Sequence, residues 1–175
     1  MKHEDAYFSK FGNAAVLAKA IASMLPVENT KLTDVVQSEM SGGADINFIG
    51  FDVNDGPVPL RIMDAFDYAE DKVLILFATC WMMPLEHIRA AVERKLQPFL
   101  PDSCDYRGLF LCAGQAPENM IDNLETQFKT HPDNTEIKSA FGNCQKTIGH
   151  PSEQDIERLR DLSKPHYPCN DFCLD

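Results

Sequence analysis

The sequence predicts a three-layer α/β domain, a doubly wound parallel sheet of about five strands with helices on both faces. Three observations predict it. Short apolar runs alternate along the chain with stretches of helical periodicity. The clearest run, Val73-Leu74-Ile75-Leu76-Phe77, carries no charge, as a strand buried on both faces does. Gly, Pro, Asn and Asp punctuate the passages between segments.

Taken in order, Ala6, Tyr7 and Phe8 make a first strand. Ser9 to Asn13 is polar and carries Gly12, so the backbone can turn sharply there. From Asn13 onward, Leu17, Ile21 and Leu25 recur every fourth residue, the spacing of one apolar helix face. A tight loop between strand and helix leaves free N–H groups at the positive end of the helix, which suits a phosphate. Pro26 ends that helix, residues 30–36 form a second strand candidate, and Ser41-Gly42-Gly43 marks a turn. Residues 46–51 read as the third strand, and residues 52–59 as a loop rich in Gly, Pro, Asp and Asn.

Leu60 to Phe66 is helical, with Ile62, Met63 and Phe66 on one side. The fourth strand spans residues 73–77 and passes into Ala78-Thr79-Cys80-Trp81-Met82-Met83. Pro84 fits the first turn of a helix whose Leu85, Ile88, Val92 and Leu96 form a stripe, closed by Pro98 and Pro101. Residues 109–113 make the fifth strand, followed by Gly114 and a helix carrying Ile121, Leu124 and Phe128. Residues 130–149 are a polar excursion with a short helix near residues 137–141. Ser152 with Asp155 three residues later signals a capped helix from Glu153 to Ser163, with Ile156, Leu159 and Leu162 facing the core. One domain, residues 1–164, and a tail without helical pattern, residues 165–175, account for the chain.

Composition narrows the function. At 175 residues with 44% hydrophobic content, the chain suits one domain with a real core. A net charge of −11 argues against nucleic acid and anionic membrane as partners, because phosphate needs a basic patch. An acidic surface suits docking to a basic partner face. No apolar run approaches the ~18 residues of a membrane span, and Lys2 and His3 precede acids rather than a leader-like stretch. The expected compartment is the cytoplasm. Of six cysteines, only Cys169 and Cys173 are close, and no Cys-x-x-Cys occurs. Reduced thiols are expected. With His166 and Asp171 near this pair, a metal remains the lesser alternative to a tail with free thiols.

Ser9-Lys10-Phe11-Gly12-Asn13-Ala14 directly after the first strand resembles the phosphate loop of flavodoxins, usually Ser/Thr-x-Thr-Gly-x-Thr. Further segments agree in order: Phe48-Ile49-Gly50-Phe51, residues 74–79, residues 109–114, and His150-Pro151-Ser152 before the last helix. Together, up to about Lys164, they resemble a flavodoxin-like family that includes the small flavodoxin-like partners of bacterial bilirubin reductases.

The resemblance implies a strand order of 2-1-3-4-5 and FMN as cofactor. Ser9, Lys10, Phe11, Gly12, Asn13 and Ala14 would hold its phosphate. Phe51, Asp52 and Val53, with Thr79, Cys80, Trp81 and Met82, would flank its ring in two further loops at the carboxyl ends of the strands. Trp81, the sole tryptophan, and Phe51 are the aromatic candidates, an exposed rim being the alternative for Trp81. Asp52 and Asp55 lie near the expected ring and read first as structural acids, although a carboxylate there would disfavour an anionic reduced flavin.

Redox chemistry would belong to the flavin. No acid–base dyad or nucleophile is expected, and His87 and His150 stand alone in sequence. Phe11 and Ala14 depart from the family pattern and remove two hydroxyls, each worth ~1.5–3 kcal/mol to a charged acceptor. Two readings follow: an FMN electron-transfer protein serving a partner reductase, or a flavin-free interaction module of the same fold. A nicotinamide-dependent reductase is a third, for which no Gly-x-Gly-x-x-Gly fingerprint is present.

Overall fold

The computed structural model describes residues 1–53 and 58–163, apart from the side chain of Leu162. Strands β1 (His3–Phe8), β2 (Thr30–Asp34), β3 (Ile46–Val53), β4 (Val73–Cys80) and β5 (Asp105–Ala113) form one sheet in the order β2-β1-β3-β4-β5. All neighbours pair in parallel. The order reverses between β1 and β3, which makes their carboxyl ends the natural crevice of the fold. Asp55 and the tail beyond residue 163 lie outside the described residues.

Strand periodicity sorts the two faces. Along β4, Leu74, Leu76, Ala78 and Cys80 enter one buried cluster while Ile75 and Phe77 enter the other. The first cluster receives Ile62, Ala65 and Phe66 from α2 (Leu60–Phe66) and Val92 and Leu96 from α3 (Glu86–Leu96). The second receives Leu17, Ala18 and Ile21 from α1 (Asn13–Met24) and Leu159 from α6 (Glu153–Ser163). Helices on both faces are therefore realised by the spacings visible in the sequence.

Several boundaries differ from expectation. β1 begins at His3 rather than Ala6, and it carries two buried acids, Glu4 and Asp5. Glu4 is supplied with partners from other segments: the Thr33 hydroxyl at 2.8 Å, the Ser41 N–H at 2.9 Å, and Lys31 Nζ at 3.2 Å. β3 and β4 run on to Val53 and Cys80, because each remains hydrogen-bonded to the other through the pairs Asp52–Thr79 and Val53–Cys80. Asp52, Val53, Thr79 and Cys80 thus stand at strand ends rather than in loops. Pro84 lies before α3, whose first residue is Glu86.

The excursion after β5 holds more helix than expected. α4 (Glu118–Thr130) is followed by α5 (Thr135–Lys146), a full helix where the sequence suggests only a short one. Asn134 caps it by accepting from the Glu136 and Ile137 N–H groups at 3.0 and 3.2 Å. α4 and α5 pack on each other through stacked Phe128 and Phe141, centroids 5.6 Å apart. Neither adds a side chain to the two clusters on the sheet.

Candidate functional site

The site grows from the crevice at β1 and β3. Gly12 stands at φ 87°, a left-handed conformation that L side chains rarely adopt, and this turns the chain into α1. The turn aims the first N–H groups of the helix at the end of β3. Asn13 is buried and its Nδ2 donates to the Gln115 carbonyl at 3.0 Å, fastening the loop to the segment after β5.

What the loop holds is a side chain of the same protein. The Asp52 carboxylate, 7% exposed, accepts four hydrogen bonds. Its Oδ1 receives the Ala14 N–H at 2.9 Å and the Thr79 hydroxyl at 2.7 Å. Its Oδ2 receives the Ser9 hydroxyl at 3.1 Å and the Phe11 N–H at 3.3 Å. Two donors on each oxygen match the acceptor capacity of a carboxylate. The positive end of α1 adds a favourable field. The sequence places Asp52 beside the expected flavin ring and reads it first as a structural acid; its seat in the loop depends on β3 lying beside β1, which no local pattern reveals. An acid at the end of a strand, next to a loop of free N–H groups, is the signal that points to it.

The remaining site residues fall into different roles. Phe51 is 1% exposed and packed in the cluster between the sheet and α2 and α3, so its ring belongs to the core. Phe11 turns from the loop to meet Trp81 edge-on, with centroids 4.8 Å apart. Lys10 extends its Nζ over the Phe11 ring at 5.3 Å. The Trp81 ring N–H is buried with no hydrogen-bond partner among the described residues. Cys80 is buried, its thiol pushed up by desolvation and donating to the Met82 carbonyl at 3.3 Å, which makes it a poor nucleophile. His150 bonds Asp155 at 2.6 Å at the start of α6, as part of the cap of that helix.

Asp52, Val53, Cys80, Trp81 and Met82 open onto a cleft of about 1250 Å³. Its other walls are Ile88, Ala91 and Val92 of α3 and Ser139, Ala140 and Asn143 of α5. Sequence reading missed these walls, because residues far apart in the chain meet only once the α4–α5 pair is folded. The lining is largely apolar, with His87, Lys95, Glu136 and the thiols of Cys80 and Cys144 as its ionisable members besides Asp52.

An FMN phosphate in the loop of residues 9–14 would meet the Asp52 carboxylate, which already takes the Ser9 hydroxyl and the Phe11 and Ala14 N–H groups. Phe11 and Ala14 offer no hydroxyl in compensation. Two like charges ~4 Å apart repel by about 4 kcal/mol at an effective dielectric of 20. The phosphate does not fit this loop as it is folded. The cleft beside Trp81 has room for a ring. Among the described residues, no group of His, Cys, Asp and Glu is arranged to hold a metal ion, and no helix is long and apolar enough to cross a membrane.

Comparison with known proteins agrees with this architecture. The chain is 26% identical over 160 residues to flavodoxin-like domain-containing protein BilS of Clostridioides difficile (strain CD3), covering 89% of this chain and 90% of that protein. A short-chain flavodoxin associated with a non-canonical PDU bacterial microcompartment aligns with a TM-score of 0.55 at 16% identity, over 94% of this chain and 95% of the other. The flavodoxin of Streptococcus pneumonia TIGR4 aligns with a TM-score of 0.54 at 15% identity, over 93% and 95% of the two chains. The flavodoxin domain itself matches residues 6–164, and with the strand order β2-β1-β3-β4-β5 around its loop and cleft, this chain belongs to the flavodoxin domain family.

Proposed function

We propose that this chain is a flavodoxin-like electron-transfer partner of a reductase, taking a flavin by its ring at the carboxyl ends of β3 and β4. The observation that carries this reading is the cleft of about 1250 Å³ bounded by Trp81, Met82 and the carboxyl ends of β3 and β4, next to the crevice between β1 and β3. Family membership supports a flavin as the ligand class. The resemblance to small partners of bacterial bilirubin reductases supports a reductase as the partner.

The surface around the site supports docking. Leu60, at the entry to α2, is 74% exposed, and Met82, Met83 and Leu85, between β4 and α3, are exposed as well. Apolar residues gathered in segments leaving neighbouring strands favour a partner surface over bare solvent. The net charge of −11 would complement a basic face.

A second reading is a flavin-free accessory module, favoured by the Phe11–Trp81 contact that joins two segments expected to flank a ligand. Purified protein titrated with riboflavin and with FMN, then added to the partner reductase, separates the two. Saturable binding of either flavin, with faster turnover only for the loaded protein, is the expected result. Stimulation of the reductase by a protein that binds neither flavin would establish the accessory module instead.

A further inference from the structure

We infer that Asp52 is the specificity-determining residue of this site: its carboxylate fills the oxyanion cradle of the loop and turns away the phosphate of FMN, so the chain takes flavin in its dephosphorylated form. The ligand named here rests on the proposed function; the filled cradle does not.

The four donors to Asp52 come from separate parts of the chain. Ser9 and the Phe11 N–H belong to the loop, the Ala14 N–H to the first turn of α1, and the Thr79 hydroxyl to β4. Such a set, at the positive end of a helix, is what a phosphate oxygen would otherwise find. Asp52 cannot retreat, because its backbone is paired with Thr79 inside the sheet. Rotating the side chain away would leave a nearly buried carboxylate without its donors and would strand four polar groups.

Lys10 lies over the Phe11 ring, and no ion pair neutralises the Asp52 carboxylate itself among the described residues. The loop that resembles a phosphate site therefore already holds an internal anion on the Ser9 hydroxyl and the Phe11 and Ala14 N–H groups. A flavin lacking the phosphate meets none of this opposition.

The test compares wild type with Asp52→Ser and with Asp52→Asn, the latter an isosteric variant that guards against misfolding of the first. Riboflavin and FMN are titrated against each protein, and melting temperature is followed with and without inorganic phosphate. Wild type is expected to bind riboflavin at least as tightly as FMN. Removing the charge should shift the ratio toward FMN by about tenfold or more, the scale of charge-assisted hydrogen bonds. Phosphate should raise the melting temperature of the neutral variants and leave wild type unchanged. Wild type that prefers FMN by about tenfold, or neutral variants with neither a shifted ratio nor a response to phosphate, would overturn the inference. If no protein binds flavin but phosphate stabilises only the variants, the filled cradle stands and the flavin reading falls.

Discussion

The Phe11 ring stands edge-on to Trp81, with centroids 4.8 Å apart and planes at 63°. A residue of the loop after β1 and a residue from the end of β4 thus form one aromatic unit. Trp81 is the only tryptophan, so its emission reports on this contact alone. Phe11→Ala should shift the emission and lower stability by about 1 kcal/mol, the value of an aromatic pair beyond its buried area. Saturating riboflavin should quench wild-type emission. Undiminished emission at saturation would place the flavin ring away from Trp81.

Asp5 gives a prediction about pH. Its carboxyl is fully buried on β1 with no hydrogen-bond partner among the described residues, and burial raises it well above the ordinary value of 3.8. A raised group supports the fold below its unfolded value and loses that support as pH rises through the folded value. Asp5→Val should therefore stabilise the protein at neutral pH by about 1–3 kcal/mol, the cost of an unsatisfied buried polar group. The gain should shrink as pH falls toward 4. Chemical denaturation of both proteins at pH 4 and pH 7 measures it, and an equal difference at the two values would show that Asp5 is not held neutral.

These acids mark where sequence legibility ends. The strand at residues 73–77 was readable because a charge-free run of that length has few alternatives. The start of β1 was not, because Glu4 and Asp5 look like surface residues until Thr33, Lys31 and Ser41 arrive from elsewhere to satisfy Glu4. The same holds at the site. The loop of residues 9–14 announced an anion by its glycine and its place before a helix, whereas the anion it holds became visible only when β3 was set beside β1. Likewise α5 shows Ile137, Phe141 and Cys144 at helical spacing, but its polar surroundings hid a helix whose chief packing partner is α4 rather than the sheet.

Gly50 tests packing beneath the site. A Cβ built there would lie 1.9 Å from Phe77 Cε2 and 2.1 Å from Cζ, and Phe77 is fully buried. Gly50→Ala should cost about 3 kcal/mol or more by overpacking. Adding Phe77→Leu should return part of that loss, giving a double-mutant coupling of about 1 kcal/mol or more. Strictly additive effects would mean that the two positions do not press on each other.

Asp155 should show a pH signature opposite to that of Asp5. It is 1% exposed at the start of α6 and accepts from the Ser152 N–H and hydroxyl, each at 2.8 Å, as well as from Arg158, with His150 Nδ1 at 2.6 Å. The Ser152 hydroxyl accepts in turn from the Asp155 N–H at 3.3 Å, closing a reciprocal cap. Burial by itself would raise this carboxyl; the bonds from Ser152, then from His150 and Arg158, outweigh it and hold the group below 3.8. A lowered group supports the fold above its unfolded value and loses that support as pH falls through the folded value. Asp155→Asn should accordingly cost about 2 kcal/mol near neutrality. The cost should fade below pH 4, as the wild-type carboxyl also becomes protonated. Measured over one pH series, the Asp5→Val gain and the Asp155→Asn loss should both be largest at neutral pH. They should have opposite signs and both diminish in acid, the Asp5→Val gain down to the pH-independent cost of an unpaired buried carboxyl. A loss at Asp155 that persists unchanged at pH 3 would assign its contribution to helix packing rather than to the charged cap.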